Sequence, residues 1–248
     1  MSGVLRFAEE FAAAAANAVD LLTLSTHLED AGRELGFRYF ALVHHVSLRR
    51  SSPRLIESSN YPPVWSEMFV GRNFFVNDPV LHASQRTAAA FAWHDVGRLL
   101  PLKERHRAIL EQSRREGMGE GITIPANIPG EPNGSCSFAT KAGRALPCRS
   151  HQFAATLIGM LAFERARQLK GLPRAADQVP HLSPREEDCL RLLVGGASDK
   201  QIARRLDLSP ETTKRYIKTA RAAYGAATRT ELAVRALRDG VVSFDGLD

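Results

Sequence analysis

Apolar residues recur at a helical spacing in some stretches of the chain and cluster in others. From residue 5 to about residue 36 they return on one face, which predicts two helices, the second ending at Gly36. The run Arg38–Val46 is rich in β-forming residues and predicts a strand, and Arg54–Ser59 predicts its partner after the polar turn Arg50–Pro53. The chain therefore begins with a pair of helices followed by the start of a sheet.

The central part of the chain alternates between helical and extended patterns. Pro62-Pro63 and Asp78-Pro79 each predict a helix start, because proline favours the first helical position. Phe91–Val96 predicts a short extended stretch, and Lys103–Glu116 predicts a charged helix. Gly121–Pro125 and Ser135–Thr140 predict the two strands of a hairpin. Arg149–Lys170 predicts a long helix with apolar Phe153, Leu157, Leu161 and Ala162. Helices before, between and after antiparallel strands predict an α+β fold, here an α/β/α sandwich with a central antiparallel sheet.

Three helix-start signals follow one another nearer the C-terminus. Ser183-Pro184-Arg185-Glu186 has a capping serine, a proline at the first helical position and a glutamate that completes a capping box. Ser198–Gln201 repeats the box, and Ser209-Pro210 starts a third helix. Each cap contributes about 1 kcal/mol. Three short capped helices with tight turns between them indicate a helix-turn-helix unit.

A segment without periodicity separates the two regions. Residues 171–180 carry a proline near each end and no apolar repeat, which is typical of a linker. We therefore predict an N-terminal domain over 1–170 and an all-α domain over 181–248. The length of 248 residues suits two modest domains.

The third C-terminal helix has an apolar side and a basic side. The positions predicted to be buried are Thr213, Ile217, Ala220 and Tyr224. The basic residues outside that stripe are Lys214, Arg215, Lys218 and Arg221. A helix that enters the major groove of DNA needs this arrangement, because long side chains must reach guanine acceptors and phosphates. The alternative is a solvated basic face of a small bundle, but the two preceding capped helices favour DNA binding.

Composition narrows the functional classes. The net charge of +6 and the pI near 9.5 are compatible with nucleic-acid binding. No apolar run approaches the roughly 20 residues that a membrane span needs, and the N-terminus lacks the layout of a signal peptide. Cys136, Cys148 and Cys189 have no metal-binding spacing. We therefore expect no zinc site, no disulfide framework and a cytoplasmic location.

The C-terminal region resembles the LuxR-type helix-turn-helix domain. The residues that carry the resemblance are Leu182–Glu186, Leu190, Gly196, Ser198, Ile202-Ala203, Leu208-Ser209, Thr212, Lys214, Gly225 and Arg229-Thr230. The resemblance implies a domain of four helices in which Lys214 and Lys218 contact bases, and in which the last helix, Thr230–Arg238, forms a dimer contact. The predicted DNA-contacting set is Thr212, Lys214, Arg215, Lys218 and Arg221, with the two arginines as phosphate contacts.

Two positions in the third helix depart from the family pattern. Thr213 stands where the family usually has valine, and Tyr216 stands where it usually has histidine. We expect the buried Thr213 hydroxyl to donate to a carbonyl one turn back along the helix.

The N-terminal region resembles the autoinducer-binding domain of quorum-sensing LuxR-type regulators. The resemblance spans about 15–165 and rests on Asn60–Trp65, Asp78–Val80, Phe91–Trp93, Gly121–Thr123 and Ser137. It implies a pocket for an N-acyl homoserine lactone, lined by Tyr61, Trp65, Phe69, Asp78, Val80, Trp93 and Ser137.

The resemblance also assigns a role to each of these residues. It implies that Trp65 donates to the lactone carbonyl and that Asp78 accepts from the amide N–H. Tyr61 and Ser137 bond the amide carbonyl, and the remaining three residues form walls. Taken singly, Asp78 before Pro79 is a helix cap and the aromatic residues are core residues; their joint spacing favours the pocket. The acyl group stays open, since Phe69 stands where a tyrosine is often found.

Together these features predict a transcriptional regulator rather than an enzyme. We expect a homodimer that binds a lactone signal and a pseudo-palindromic site in double-stranded DNA, with RNA polymerase as a candidate partner and without cofactor or metal. The alternative is a LuxR solo regulator, which binds DNA independently of ligand or answers a non-lactone molecule. An enzyme is disfavoured because the sequence has no G-x-S-x-G motif, no metal-spaced histidines and no paired catalytic carboxylates.

Overall fold

The computed structural model describes residues 3–46, 54–172 and 179–242. The chain divides into two compact units, one built from Met1–Ile128 with Pro132–Leu172 and the other mainly from Pro173 onward. The predicted turn Arg50–Pro53 and residues 173–178 of the predicted linker lie outside the described residues.

A five-stranded antiparallel sheet forms the centre of the first unit. Its strands are β1 (Tyr39–His44), β2 (Glu57–Ser59), β3 (Phe91–Ala92), β4 (Met118–Ala126) and β5 (Gly134–Lys141), in the order β2-β1-β5-β4-β3. Strand β5 is central, so that Ser137 lies opposite Ala41 of β1 on one side and opposite Thr123 of β4 on the other. The predicted hairpin and the predicted pairing of the first two strands are both confirmed.

Helices cover both faces of this sheet. They are α1 (Gly3–Asn17), α2 (Leu21–Glu34), α3 (Pro63–Gly71), α4 (Pro79–Ser84), α5 (Val96–Leu99), α6 (Glu104–Arg115) and α7 (Arg149–Leu169). The main hydrophobic core lies where α1, α2 and α7 meet the sheet face that carries Phe40, Leu42 and Phe138. Smaller clusters around Val80 and Trp65 belong to the opposite side. The predicted sandwich with a central antiparallel sheet is therefore confirmed.

One predicted extended segment is only partly a strand. Phe91–Ala92 pairs with β4, but Trp93–Asp95 form a 3-10 turn and α5 follows at once. The turn directs the Trp93 indole at Thr123 on β4, where it donates a hydrogen bond of 2.9 Å. A tertiary contact of this kind decides the conformation of a short apolar run, which periodicity alone leaves open.

Helix α7 buries mainly small residues, together with Ile158 and Phe163, and exposes several large apolar ones. Its buried side includes Ala154, Ala155, Ala162 and Ala166. A Cβ atom on Gly159 would lie 3.0 Å from Ile124 Cδ1, so the helix approaches the sheet too closely for larger side chains there. The exposed side carries four large residues that we call the α7 apolar stripe: Phe153 at 60%, Leu157 at 38%, Met160 at 58% and Leu161 at 39% exposure.

The second unit is a bundle of four helices within the described residues, as predicted. They are α8 (Pro184–Val194), α9 (Asp199–Leu206), α10 (Pro210–Ala223) and α11 (Arg229–Arg238). All three predicted caps are present: Ser183 and Ser198 form reciprocal boxes with the third residue of their helices, and Ser209 accepts from the Thr212 amide. The predicted stripe of α10 is buried in the core of this bundle.

None of the helices in the described part of the chain combines the length and the apolar character needed to cross a lipid bilayer.

Candidate ligand cavity and DNA-contacting helix

A cavity of about 620 Å³ lies in the first unit, against the face of the sheet opposite α1 and α2. Strands β1 and β5 supply its floor through residues two apart, such as Ala41 with Val43 and Ser135 with Ser137. Side chains two apart on a strand share one face, which explains this alternation. The cavity brings together all seven residues predicted to line a ligand pocket: Tyr61, Trp65, Phe69, Asp78, Val80, Trp93 and Ser137.

Helix α3 places an aromatic group at one end of the cavity. Pro63 starts the helix, and Trp65 follows on the side that faces inward, with only 4% of its surface exposed. The Trp65 ring packs against Phe69 at 5.6 Å and against Phe74 at 5.8 Å between centroids. No acceptor within the described residues bonds the Trp65 indole N–H. That N–H is therefore a donor for a molecule in the cavity.

A chain of hydrogen bonds crosses the cavity floor from Trp93 to Ser137. The Trp93 indole donates to Thr123 Oγ1 at 2.9 Å, and Thr123 Oγ1 lies 2.8 Å from Ser137 Oγ. All three side chains are buried. The network uses the Trp93 N–H internally, so Trp93 acts as a wall, while Ser137 stays at the cavity surface.

Tyr61 stands beside this network and beside Asp78. Its ring meets Tyr39 edge-on at 6.4 Å between centroids. Burial raises the pKa of the Tyr61 hydroxyl well above its usual range, and the charge of Asp78 acts in the same direction. The hydroxyl therefore stays protonated, and it interacts with the Ser137 hydroxyl beside it.

Asp78 is both a helix cap and a cavity residue. Its Oδ1 atom accepts from the backbone N–H of Val80 at 2.7 Å and of Leu81 at 3.2 Å, which fixes the start of α4. Its Oδ2 atom makes no hydrogen bond to any described residue. Burial raises the pKa of Asp78 to about 6 from its ordinary 3.8, although the two amide hydrogen bonds oppose that rise. One carboxylate oxygen is thus held by the backbone and the other is left for a ligand.

Two residues outside the predicted set shape the site. Thr123 links Trp93 to Ser137, and Gly121 gives the Trp93 ring its place. A Cβ atom on Gly121 would lie 2.6 Å from Trp93 Cε2 and 2.7 Å from the Phe138 carbonyl oxygen. Both residues belong to the segment Gly121–Thr123 that carries the family resemblance. The register of β4 against β5, which pairs Thr123 with Ser137, is the signal that could have identified Thr123.

Helix α10 presents the predicted DNA-contacting residues on its outer side. Lys214, Arg215 and Lys218 are exposed, and Thr212 is half-buried beside the cap. Lys214 and Lys218 are four residues apart, so their side chains lie next to each other on one face of the helix. Within the described residues neither lysine makes a hydrogen bond or an ion pair, while the Arg215 guanidinium lies over the Tyr216 ring at 5.5 Å. The two lysines are therefore free to bind an external group.

Arg221 is placed differently from the other basic residues of α10. Its guanidinium donates to the carbonyl oxygens of Ala226, at 3.4 Å, and Ala227. Arg221 thereby holds the turn between α10 and α11. The structure groups the lysines and Arg215 on one surface and leaves Arg221 engaged within its own domain.

Thr213 does not make the hydrogen bond expected from the sequence. The residue is fully buried, and its Oγ1 atom has no partner among the described residues. The expected bond to a carbonyl one turn back is therefore wrong in this structure.

Within the described ranges, no group of three or more His, Cys, Asp or Glu side chains is arranged to hold a metal ion.

Both units match known families. A family model described as "Autoinducer binding domain" matches residues 21–167, more than half of the chain. A second, described as "Bacterial regulatory proteins, luxR family", matches residues 180–236.

Curated relatives cover most of the chain. The transcriptional activator protein TraR of Agrobacterium vitis is 30% identical over 185 residues, which cover 73% of this chain and 75% of that protein. The regulatory protein SdiA of Escherichia coli is 24% identical over 217 residues, which cover 87% of this chain and 88% of SdiA. Both names describe regulators, and that of TraR describes a transcriptional activator.

The fold also matches a solved structure. SdiA in complex with octanoyl-rac-glycerol aligns with a TM-score of 0.66 at 20% identity, and the alignment covers 98% of each chain. The two units thus carry the fold that both family models describe. The chain belongs to the LuxR family of quorum-sensing transcriptional regulators, with an autoinducer-binding domain followed by a LuxR-type helix-turn-helix domain.

Proposed function

We propose that the domain over residues 1–170 binds an N-acyl homoserine lactone in the cavity between its sheet and α3. One observation carries this proposal: a single cavity holds the indole N–H of Trp65 and a carboxylate oxygen of Asp78, and no other described residue pairs with either group. A lactone carbonyl needs the first and an amide N–H needs the second. Ser137 and Tyr61 supply hydroxyls for the amide carbonyl, and Phe69, Val80 and Trp93 enclose the ligand.

A melting experiment on the full chain tests the ligand class. Saturating ligand at about a hundred times its dissociation constant should stabilise the protein by roughly 2.7 kcal/mol. We expect a panel of acyl homoserine lactones to raise the melting temperature of the wild type and to raise that of Trp65→Phe less. Equal melting temperatures with and without every member of the panel would contradict the proposal.

We propose that the domain over 181–248 reads DNA through α10, with residues 171–180 as the linker. Lys214 and Lys218 contact base edges, Arg215 contacts a phosphate and Thr212 lies at the helix start near the backbone. A phosphate contact from Arg221 would require its guanidinium to leave the carbonyls of Ala226 and Ala227, so we assign Arg221 mainly to that turn.

Alanine variants separate base contacts from phosphate contacts. Lys214→Ala and Lys218→Ala should each weaken binding to the specific site by roughly 1–3 kcal/mol while changing affinity for random DNA less. Lys200→Ala removes an exposed charge from α9 and serves as the matched control. Equal losses on specific and random DNA would show that the two lysines contact only phosphates.

We propose that the first domain forms a homodimer through the α7 apolar stripe. Its residues recur at intervals of four, three and one, so they share one face of the helix. Four exposed large apolar side chains on one helix mark an interaction surface rather than scattered exposure. Val234 of α11 is 59% exposed and is the proposed contact of the second domain. Met160→Glu should shift the full chain toward monomer in sedimentation velocity, and an unchanged dimer would exclude the stripe as the interface.

A second ligand class is favoured by one observation, the solved complex of SdiA with octanoyl-rac-glycerol. A monoacylglycerol has an ester carbonyl and an acyl chain but no amide N–H. Its two glycerol hydroxyls are the donors that could bond Asp78 in place of the amide, while its ester carbonyl could accept from Trp65. If octanoylglycerol binds and acyl lactones do not displace it, the chain answers a non-lactone signal. DNA affinity that is unchanged by either ligand would favour a ligand-independent regulator.

We propose that the ligand is bound and not converted. Lactone recovered chemically intact after incubation with the protein is the expected result. Contact of the DNA-bound dimer with RNA polymerase stays a prediction.

A further inference from the structure

The cavity also contains a polar pair that does not involve Trp65 or Asp78. His45 and Ser135 both line the cavity, and His45 Nε2 lies 2.9 Å from Ser135 Oγ. Ser135 and Ser137 are two residues apart on β5, so their side chains emerge from the same face about 7 Å apart. The pair thus lies two residues before Ser137 on β5, and Ser137 carries the hydroxyl that we propose bonds the amide carbonyl.

The hydrogen bonds of Ser84 favour one of the two neutral tautomers of His45. Ser84 is fully buried, its hydroxyl donates to the Leu81 carbonyl at 2.8 Å, and its own carbonyl accepts from Asn127 Nδ2 at 2.8 Å. His45 Nδ1 lies 3.5 Å from the Ser84 hydroxyl oxygen. A hydroxyl has one hydrogen, and Ser84 has used it. The remaining role for Ser84 toward His45 is that of an acceptor from Nδ1–H.

His45 is held in its neutral form. Burial lowers its pKa to about 4, and the neighbouring His44 and His82 act in the same direction. A neutral imidazole with its hydrogen on Nδ1 has a bare Nε2 that accepts. With this tautomer Ser135 donates to Nε2, and its oxygen, which lines the cavity, keeps its lone pairs for a donor.

We propose that Ser135, oriented by His45, forms a subsite for a hydroxyl group on the acyl chain of the ligand. This inference rests on the proposed lactone function and extends it to the class of acyl chain. A ligand hydroxyl can donate to the Ser135 oxygen, whereas a keto oxygen and a methylene group offer it no polar hydrogen. The offset from Ser137 corresponds to roughly five or six bonds of an extended chain, so the hydroxyl belongs near the middle of a ten-carbon chain rather than on the third carbon.

Ligand titrations of the full chain test the subsite. The probes are N-decanoyl homoserine lactone and derivatives that carry a single hydroxyl or a single keto oxygen, either near the middle of the chain or on the third carbon. Binding is followed by the fluorescence of Trp65 and Trp93, which both line the cavity. We expect the mid-chain hydroxyl to bind about three- to tenfold more tightly than the unsubstituted chain or the mid-chain keto form.

Three variants assign that preference to Ser135. Ser135→Ala should abolish it while changing the affinity for the unsubstituted probe by less than about twofold, and that retained affinity also shows that the variant folds. Ser135→Thr restores a hydroxyl and should restore the preference. Ser66→Ala removes another cavity-lining hydroxyl, on α3, and should keep it.

The outcomes separate this inference from the lactone proposal. If the probes bind but the wild type does not favour the mid-chain hydroxyl, or if the preference survives in Ser135→Ala, the subsite is refuted and the lactone proposal stands. If none of the probes binds, the lactone proposal fails and the subsite falls with it.

Discussion

Replacing Thr213 by valine should stabilise the DNA-binding domain. The Thr213 side chain is fully buried on the inner face of α10, and its hydroxyl finds no partner among the described residues. Valine has nearly the same shape, is equally branched at Cβ and has a similar helix propensity. The substitution therefore removes a buried polar atom without opening a cavity.

The size of the effect follows from the cost of burying an unpaired hydroxyl. That cost is about 1–3 kcal/mol, and a gain of 1 kcal/mol raises the melting temperature of a domain of this size by roughly 4–8 °C. Because the side chain points into the core, DNA affinity should not change. Thr219→Val is the matched control: Thr219 is exposed on the same helix, and its hydroxyl donates to the Arg215 carbonyl at 3.1 Å.

The assay must report on the second domain alone. Both tryptophans, Trp65 and Trp93, belong to the first domain, so tryptophan fluorescence does not follow the second. Amide hydrogen exchange of peptides from α10 in the full chain measures the opening free energy directly. We expect slower exchange in Thr213→Val and no slowing in Thr219→Val. Unchanged or faster exchange in Thr213→Val would show that the hydroxyl is satisfied in solution and would refute the reasoning.

Two further predictions concern the cavity. Gly121→Ala should displace the Trp93 ring, because the added Cβ would lie 2.6 Å from Trp93 Cε2 and 2.7 Å from a backbone carbonyl oxygen; we expect a loss of about 1–3 kcal/mol of stability and weaker ligand binding. In Gly71→Ala the new methyl meets no atom within 4 Å, so calorimetry should show no comparable loss, and equal losses in both variants would contradict the steric argument. Asp78 should make the stability of the ligand-free protein depend on pH. Its folded-state pKa is raised to about 6 from 3.8, so the folded state holds this proton more tightly, and stability should fall as pH rises from about 4 to about 6. The step should be on the order of 2–3 kcal/mol. Asp78→Asn keeps an oxygen for the helix cap and should remove the step, while weakening lactone binding; denaturant titrations across this pH range give the comparison, and an identical profile in the variant would exclude Asp78 as the cause.

The helix caps of the second domain followed directly from the sequence. The capping serines Ser183, Ser198 and Ser209 bond a backbone amide three residues ahead, so the residue types and their spacing are sufficient to predict them. The buried stripe of α10 and the antiparallel hairpin followed for the same reason, since their periods are set by local backbone geometry.

The cavity was predictable only through the spacing of several segments taken together. By itself Asp78 before Pro79 indicates a cap, and it is a cap: its Oδ1 atom bonds the first turn of α4. That the same carboxylate also reaches the cavity depends on where α4 lies relative to β1 and β5. Asp78 is both a helix cap and a cavity-lining residue, because its two oxygens face different surroundings.

Other features were decided by tertiary structure alone. The sequence marks Arg221 as one basic residue among four, but the turn after α10 brings two carbonyls within its reach. It marks Phe153 and Leu157 as apolar, but both lie on the exposed side of α7, while the side that packs closely on the sheet holds Gly159 and several alanines. Local sequence determines which conformation a segment prefers, because its bonds join neighbours; the space beside a side chain and the partner it meets depend on residues far away in the chain.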